Sequence, residues 1–77
     1  MENQKKISLA MYNALRLRYE SHREEARATL SVYFINSVGI GEQPQHLDEM
    51  DKLIAKMVDA QDKLDMLTKE FSEYNSN

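Results

Sequence analysis

Two histidines are where catalysis or metal binding would have to begin in this chain. His22 is followed three residues later by Glu25, a spacing that places both on one helix face. The pair could act as a metal ligand or general base. It equally suits a partly buried polar residue held by a carboxylate or a tyrosine, which is the expectation here. Di-iron bundles use Glu-x-x-His on facing helices, and this chain has neither that order nor two copies of it. His46 lies near Glu42, Asp48 and Glu49, where the acids are better explained by the positive end of a helix dipole than by a metal. No activated nucleophile accompanies either histidine. Gly39-Ile40-Gly41 is not a phosphate loop, since no strand precedes it and no Lys-Ser/Thr follows. The expectation is therefore no catalytic residue, no metal ligand and no cofactor.

Arg16, Arg23 and Arg27 are the remaining chemical candidates. On the outer side of one helix they could contact phosphate or an acidic partner. Paired with Glu20 and Glu24 they would simply form a solvated face. Four Tyr and two Phe could stack on nucleic-acid bases, but Tyr19, Tyr33, Phe71 and Tyr74 fall on apolar stripes and read as core.

Helices must position all of these. Met50, Leu53, Met57, Ala60, Leu64, Leu67, Phe71 and Tyr74 are spaced alternately by three and four, a heptad seam over eight positions. Asp48–Lys52, Asp59–Lys63 and Asp65–Lys69 are acid-before-base pairs at i, i+4, the favourable order. This predicts a helix over about 45–74. In the first half, Ile7, Met11, Leu15, Tyr19, His22, Ala26, Leu30 and Tyr33 step mostly by four. That is near an eleven-residue repeat of about 3.67 residues per turn, a straighter helix than its partner. It predicts a helix over about 5–38, about 50 Å long against about 45 Å for the second.

Between them lies a turn at 39–44. Gly39 fits the left-handed position that ends many helices, with Ile40 and Ile35 as the hydrophobic contact that often accompanies it. Pro44 suits the first turn of the next helix, and Asp48, Glu49 and Asp51 put negative charge near its start. The tail 75–77 is expected to fray. Val32-Tyr33-Phe34-Ile35 has strand propensity, but a lone strand would lack a partner, so it is read as helix.

Near its end the first helix is apolar almost all round (Leu30, Val32, Tyr33, Phe34, Ile35), and one neighbouring helix cannot cover that surface. Leu30, Tyr33, Phe34, Ile35, Val38 and Ile40 are thus predicted as an interface. Met50, Leu53, Met57, Leu64, Leu67 and Phe71 form the helix–helix seam. Val58 and Met66 lie off that seam and hint at a second contact surface.

Composition agrees. The chain has 77 residues, 42% of them hydrophobic, with two Gly, one Pro and no Cys. Few turns fit such a chain, and neither a disulfide nor a thiolate zinc site can staple it. Self-association is the remaining common way to stabilise so small a scaffold. Residues 1–38 carry a net +2 and residues 39–77 a net −5, which favours antiparallel pairing within the chain. That balance is not the strongly basic one of nucleic-acid-binding domains. No signal-peptide pattern or bilayer-length apolar stretch occurs, so a cytoplasmic protein is expected.

The segments ISLAMYNALRLRYE, VGIGEQPQHLDEMDKLI and DAQDKL resemble short helical-hairpin proteins of large, myovirus-type tailed phages. The resemblance implies an accessory, host-takeover or virion-associated protein of the host cytoplasm, and carries no site residues. Leu47-Asp48-Glu49-Met50-Asp51-Lys52-Leu53-Ile54 resembles the second helix of the sporulation aspartyl-phosphate phosphatases, which opens Ser-Gln-Glu-Leu-Asp before an apolar pair. Glu49, Asp51 and the apolar pattern agree; Leu47 and Asp48 stand where that family has Ser and Gln. The resemblance implies an exposed Asp51 acting on a response regulator.

The sequence thus predicts an all-α protein, an antiparallel two-helix hairpin pairing into a four-helix bundle. Its expected partner is a second copy, or another protein, and its role is contact without catalysis. Alternatives are the regulator phosphatase and a Rop-like bundle binding RNA through Arg16, Arg23 and Arg27, whose affinity would fall steeply with salt.

Overall fold

A computed structural model describes residues 2–36 and 44–75. It shows two helices, α1 (Glu2–Ile35) and α2 (Pro44–Phe71), and a closing 3-10 turn, Ser72–Asn75. The helices pack side by side as an antiparallel hairpin, and the 3-10 turn lies against α1. The hairpin is a rod 59 × 17 × 13 Å with a radius of gyration of 17.2 Å. A compact chain of this length would have a radius of about 11–12 Å.

Both helices start and stop slightly earlier than the sequence suggests. Helix α1 closes with the Asn36 N–H donating to the Val32 carbonyl at 3.0 Å. Val32-Tyr33-Phe34-Ile35 is helical, as its lack of a strand partner requires. The expected glycine cap, the Ile35–Ile40 contact, Val38 and Ile40 involve residues outside the described ones. Pro44 opens α2, so Asp48, Glu49 and Asp51 fall beyond its first turn. Lys69 sits in the last turn, where a cation faces the negative end of the dipole.

Local ion pairs run along both helices. Lys63 meets Asp59 at 3.0 Å as its i, i+4 spacing predicts. Lys52 turns instead to Glu49 at 3.2 Å, and Asp65 accepts from the Gln61 amide at 3.0 Å.

The core is thin. Tyr12, Ala26, Leu30, Ala60, Leu64 and Leu67 are the buried hydrophobic residues, and the two alanines are the most deeply buried. Small side chains at these points let two helix axes approach closely, as interhelical packing distance depends on the contacting side chains.

The inner face of α1 differs from the sequence reading. Met11 and His22 are exposed, whereas Leu9, Tyr12, Arg16, Tyr19, Arg23, Ala26, Leu30 and Tyr33 are buried or half-buried. These steps alternate three and four over eight positions, a heptad and not an eleven-residue repeat. Tyr12 and Arg23 replace Met11 and His22 on the seam. On α2, His46, Met50, Leu53, Met57, Ala60, Leu64 and Leu67 face inward with the complementary spacing. Phe71 and Tyr74 continue that register but are 49% and 44% exposed. Carried back from Leu9, the α1 heptad arrives at the exposed Lys5, so the seam is not closed over at this end.

Candidate interaction surface

Contacts between the helices distinguish the two sides of the rod. On one side the Arg23 guanidinium (Nη1) donates to the Gln61 Oε1 at 2.9 Å. Gln61 in turn donates to Asp65, and Glu24 holds Arg23 at 3.5 Å and Arg27 at 2.8 Å. Arg16 pairs with Glu20 at 3.1 Å. The three arginines are therefore each engaged with a carboxylate of α1. Arg23 does not lie on the outer side of the helix, as the sequence reading had it, but at the edge of the seam. Its Nε is buried without a hydrogen-bond partner among the described residues. Its long aliphatic stem explains the placement, since it covers apolar surface while the charged head reaches the rim.

On the opposite side Lys56 approaches Glu25 at 3.7 Å, and the Lys63 ammonium stands over the Tyr19 ring at 5.7 Å. Glu25 thus serves an ion pair across the helices, while His22 beside it is exposed. His46 is half-buried, not a solvated helix start. Its ring meets Tyr33 edge-on at 5.7 Å and 62°, and its Nδ1 has no partner among the described residues. Among those residues no group of three or more His, Cys, Asp and Glu is placed to hold a metal ion. No described helix is long and apolar enough to cross a membrane.

The unusual feature is apolar exposure. Among the described residues twelve large hydrophobic side chains are exposed, against six buried hydrophobic residues. They are not spread evenly. On the Arg23 side, the row bordering the α1 seam is Asn13, Glu20, Arg27 and Phe34, and the row bordering the α2 seam is Leu47, Ile54, Gln61 and Thr68. Each row is apolar toward the turn and polar toward the open end. Phe34, Leu47 and Ile54 are 63%, 61% and 46% exposed, with Val58 beside them.

The other side has the reverse arrangement. Its α2 border is charged (Glu49, Lys56, Lys63, Glu70), and its apolar surface gathers at the open end. There Met11, Leu15, Tyr19, Met66 and Phe71 line an open groove of about 570 Å³. Phe71 and Tyr74 stack obliquely across it, 6.4 Å between centroids.

Of the predicted interface residues, Leu30 is buried inside the hairpin and Tyr33 is half-buried, whereas Phe34 and Ile35 stand exposed at 63% and 78%. Of the predicted seam, Leu64 and Leu67 are buried, Met50, Leu53 and Met57 half-buried, and Phe71 exposed. Sequence reasoning missed Leu47 and the open-end groove. A second, weaker seven-residue row through Leu47 and Ile54 was the available signal for the first.

No protein-family model matches the chain, and no match was found among curated proteins or solved structures.

Proposed function

We propose that this chain is a non-catalytic interaction module that associates with a second copy of itself, two hairpins forming a four-helix bundle. The observation that carries the reading is that, among the described residues, twelve large hydrophobic side chains are exposed against six buried hydrophobic residues. Exposed apolar side chains gathered in patches, as at Phe34, Leu47 and Ile54, mark contact sites on a small protein. A second hairpin supplies what the first lacks, because each helix then has two neighbours to cover its flanks. The size is adequate. A face 59 Å long and 17 Å wide presents about 1000 Å², and a standard interface buries about 800 Å² per partner.

Light scattering across a dilution series tests this reading. The expected mass is twice the 9.0 kDa of one chain, held down to micromolar concentration. A monomer throughout that range would overturn it.

A further inference from the structure

The two sides of the rod offer different ways to pair, and the placement of apolar and charged residues selects one. We infer that two copies pair through the side bearing Arg23 and Gln61, about a two-fold axis parallel to the rod, with both turns at the same end and α1 of each against α2 of the other. The inference rests on the self-association proposed above and assigns its surface and geometry.

The first argument is where the apolar residues lie. On this side Phe34, Leu47, Ile54 and Val58 occupy the turn half together with Arg27, and Asn13, Glu20, Gln61 and Thr68 the open half, with Leu17 farther out. An axis along the rod leaves every residue at its own height, so the apolar halves meet. The levels follow from the hairpin's own contacts, in which Arg23 is level with Gln61 and Tyr33 with His46. Phe34 then falls opposite the stretch of the second α2 that holds Leu47, and Ile54 falls near the level of Arg27, whose aliphatic stem can cover it. An axis perpendicular to the rod would reverse one copy. Each apolar half would then cover the polar half of the other, leaving amide and carboxylate groups desolvated without partners.

The second argument is charge. On this side α1 carries Arg16, Arg23 and Arg27 with Glu20 and Glu24 paired to them, a net charge of +1, whereas α2 carries Asp51 and Asp65, a net −2, seven residues either side of Val58. Pairing α1 with the second α2 sets basic against acidic, with Arg16 near the level of Asp65 of the second copy. Pairing α1 with α1 would set two net positive faces together and the two net negative α2 faces together. Complementary charge selects orientation, and like charges facing each other disfavour the alternative. Every helix in the resulting bundle has antiparallel neighbours, the arrangement of up-down bundles.

The absence of cysteine makes a direct test simple. Ser72→Cys places one spin label at the exposed open end of each chain, and the label–label distance is read in the full-length protein. With parallel rods the two labels lie across the bundle, about 15–30 Å apart given helix spacings of 8–10 Å. With reversed rods the distance approaches the 59 Å length of the hairpin. Phe34→Glu and Met66→Glu, both at exposed positions, identify the side. Phe34→Glu is expected to halve the mass in light scattering with helix content unchanged, and Met66→Glu to leave a dimer. A dimer with the long distance, or one broken by Met66→Glu and not by Phe34→Glu, overturns this geometry while self-association stands. An unsubstituted protein that stays at 9.0 kDa overturns both.

Discussion

Leu64→Ala is the substitution whose cost follows most directly from the packing. Leu64 is 8% exposed and lies on the α2 seam between Ala60 and Leu67. Truncating a buried leucine removes its transfer free energy and leaves a cavity, which costs about 2–5 kcal/mol. In a rod only two helices thick the walls can close partly around the gap, so about 2–3 kcal/mol is expected, the lower part of that range. At roughly 0.05–0.15 kcal/mol per residue a chain of this length has about 4–11 kcal/mol in total. The loss is thus about a sixth of the total or more. Each kcal/mol shifts the melting temperature of such a domain by about 4–8 °C. A thermal melt followed by far-UV circular dichroism should therefore fall by about 10–20 °C. Leu64→Asp adds a carboxylate in an apolar seam and should abolish the cooperative transition. Ala55→Asp, on the exposed face of the same helix, is the control. It should cost no more than its helix-propensity difference, about 0.7 kcal/mol. A Leu64→Asp protein that melts like Ala55→Asp would refute the seam assignment, and with it the account of how the two helices hold together.

Other expectations follow from the same packing. Arg23→Leu should raise the melting temperature by several degrees, because a seam position loses a partly desolvated cation and gains an apolar side chain; a lowered temperature would mean that the Gln61 bond outweighs the burial. Ala26→Leu should cost about 1–3 kcal/mol by overpacking a close helix approach, and an unchanged melt would show that the helices are not tightly apposed there. Lys56→Ala removes an exposed ion pair to Glu25 and should change stability by less than about 1 kcal/mol. A large loss in chemical denaturation would give that contact a weight the geometry does not support.

Much of this fold is legible from local signals. The regular three-four spacing from Met50 to Leu67 marks the inner face of α2 because every seam position in that stretch holds a hydrophobic side chain. Pro44 marks the start of that helix because it fits a first turn and little else. The first helix is harder to read. Two of its seam positions are Arg16 and Arg23, which any count of apolar residues assigns to the surface. Met11 and Ile7, exposed at 63% and 59%, draw the same count toward the wrong face. The stripe that looks most regular by hydrophobicity is therefore turned away from the one that packs. The candidate surface was legible in part. The apolar crowding at Phe34 and Ile35 is visible in the sequence, but Leu30 and Tyr33 in the same crowd turn inward. Leu47 gave only a weak signal, since its seven-residue row with Ile54 turns polar at Gln61 and Thr68.

The amino-acid sequence by itself determines that two helices form, roughly where they break, and which face of the second one is apolar. These are consequences of interactions within a few residues: propensity, periodicity and the special geometry of proline. The tertiary structure decides which face of the first helix turns inward, and hence which hydrophobic side chains remain outside. That choice depends on the partner helix. An arginine stem can fill a seam position when a facing residue such as Gln61 receives its guanidinium, and no local pattern in the first helix contains that information.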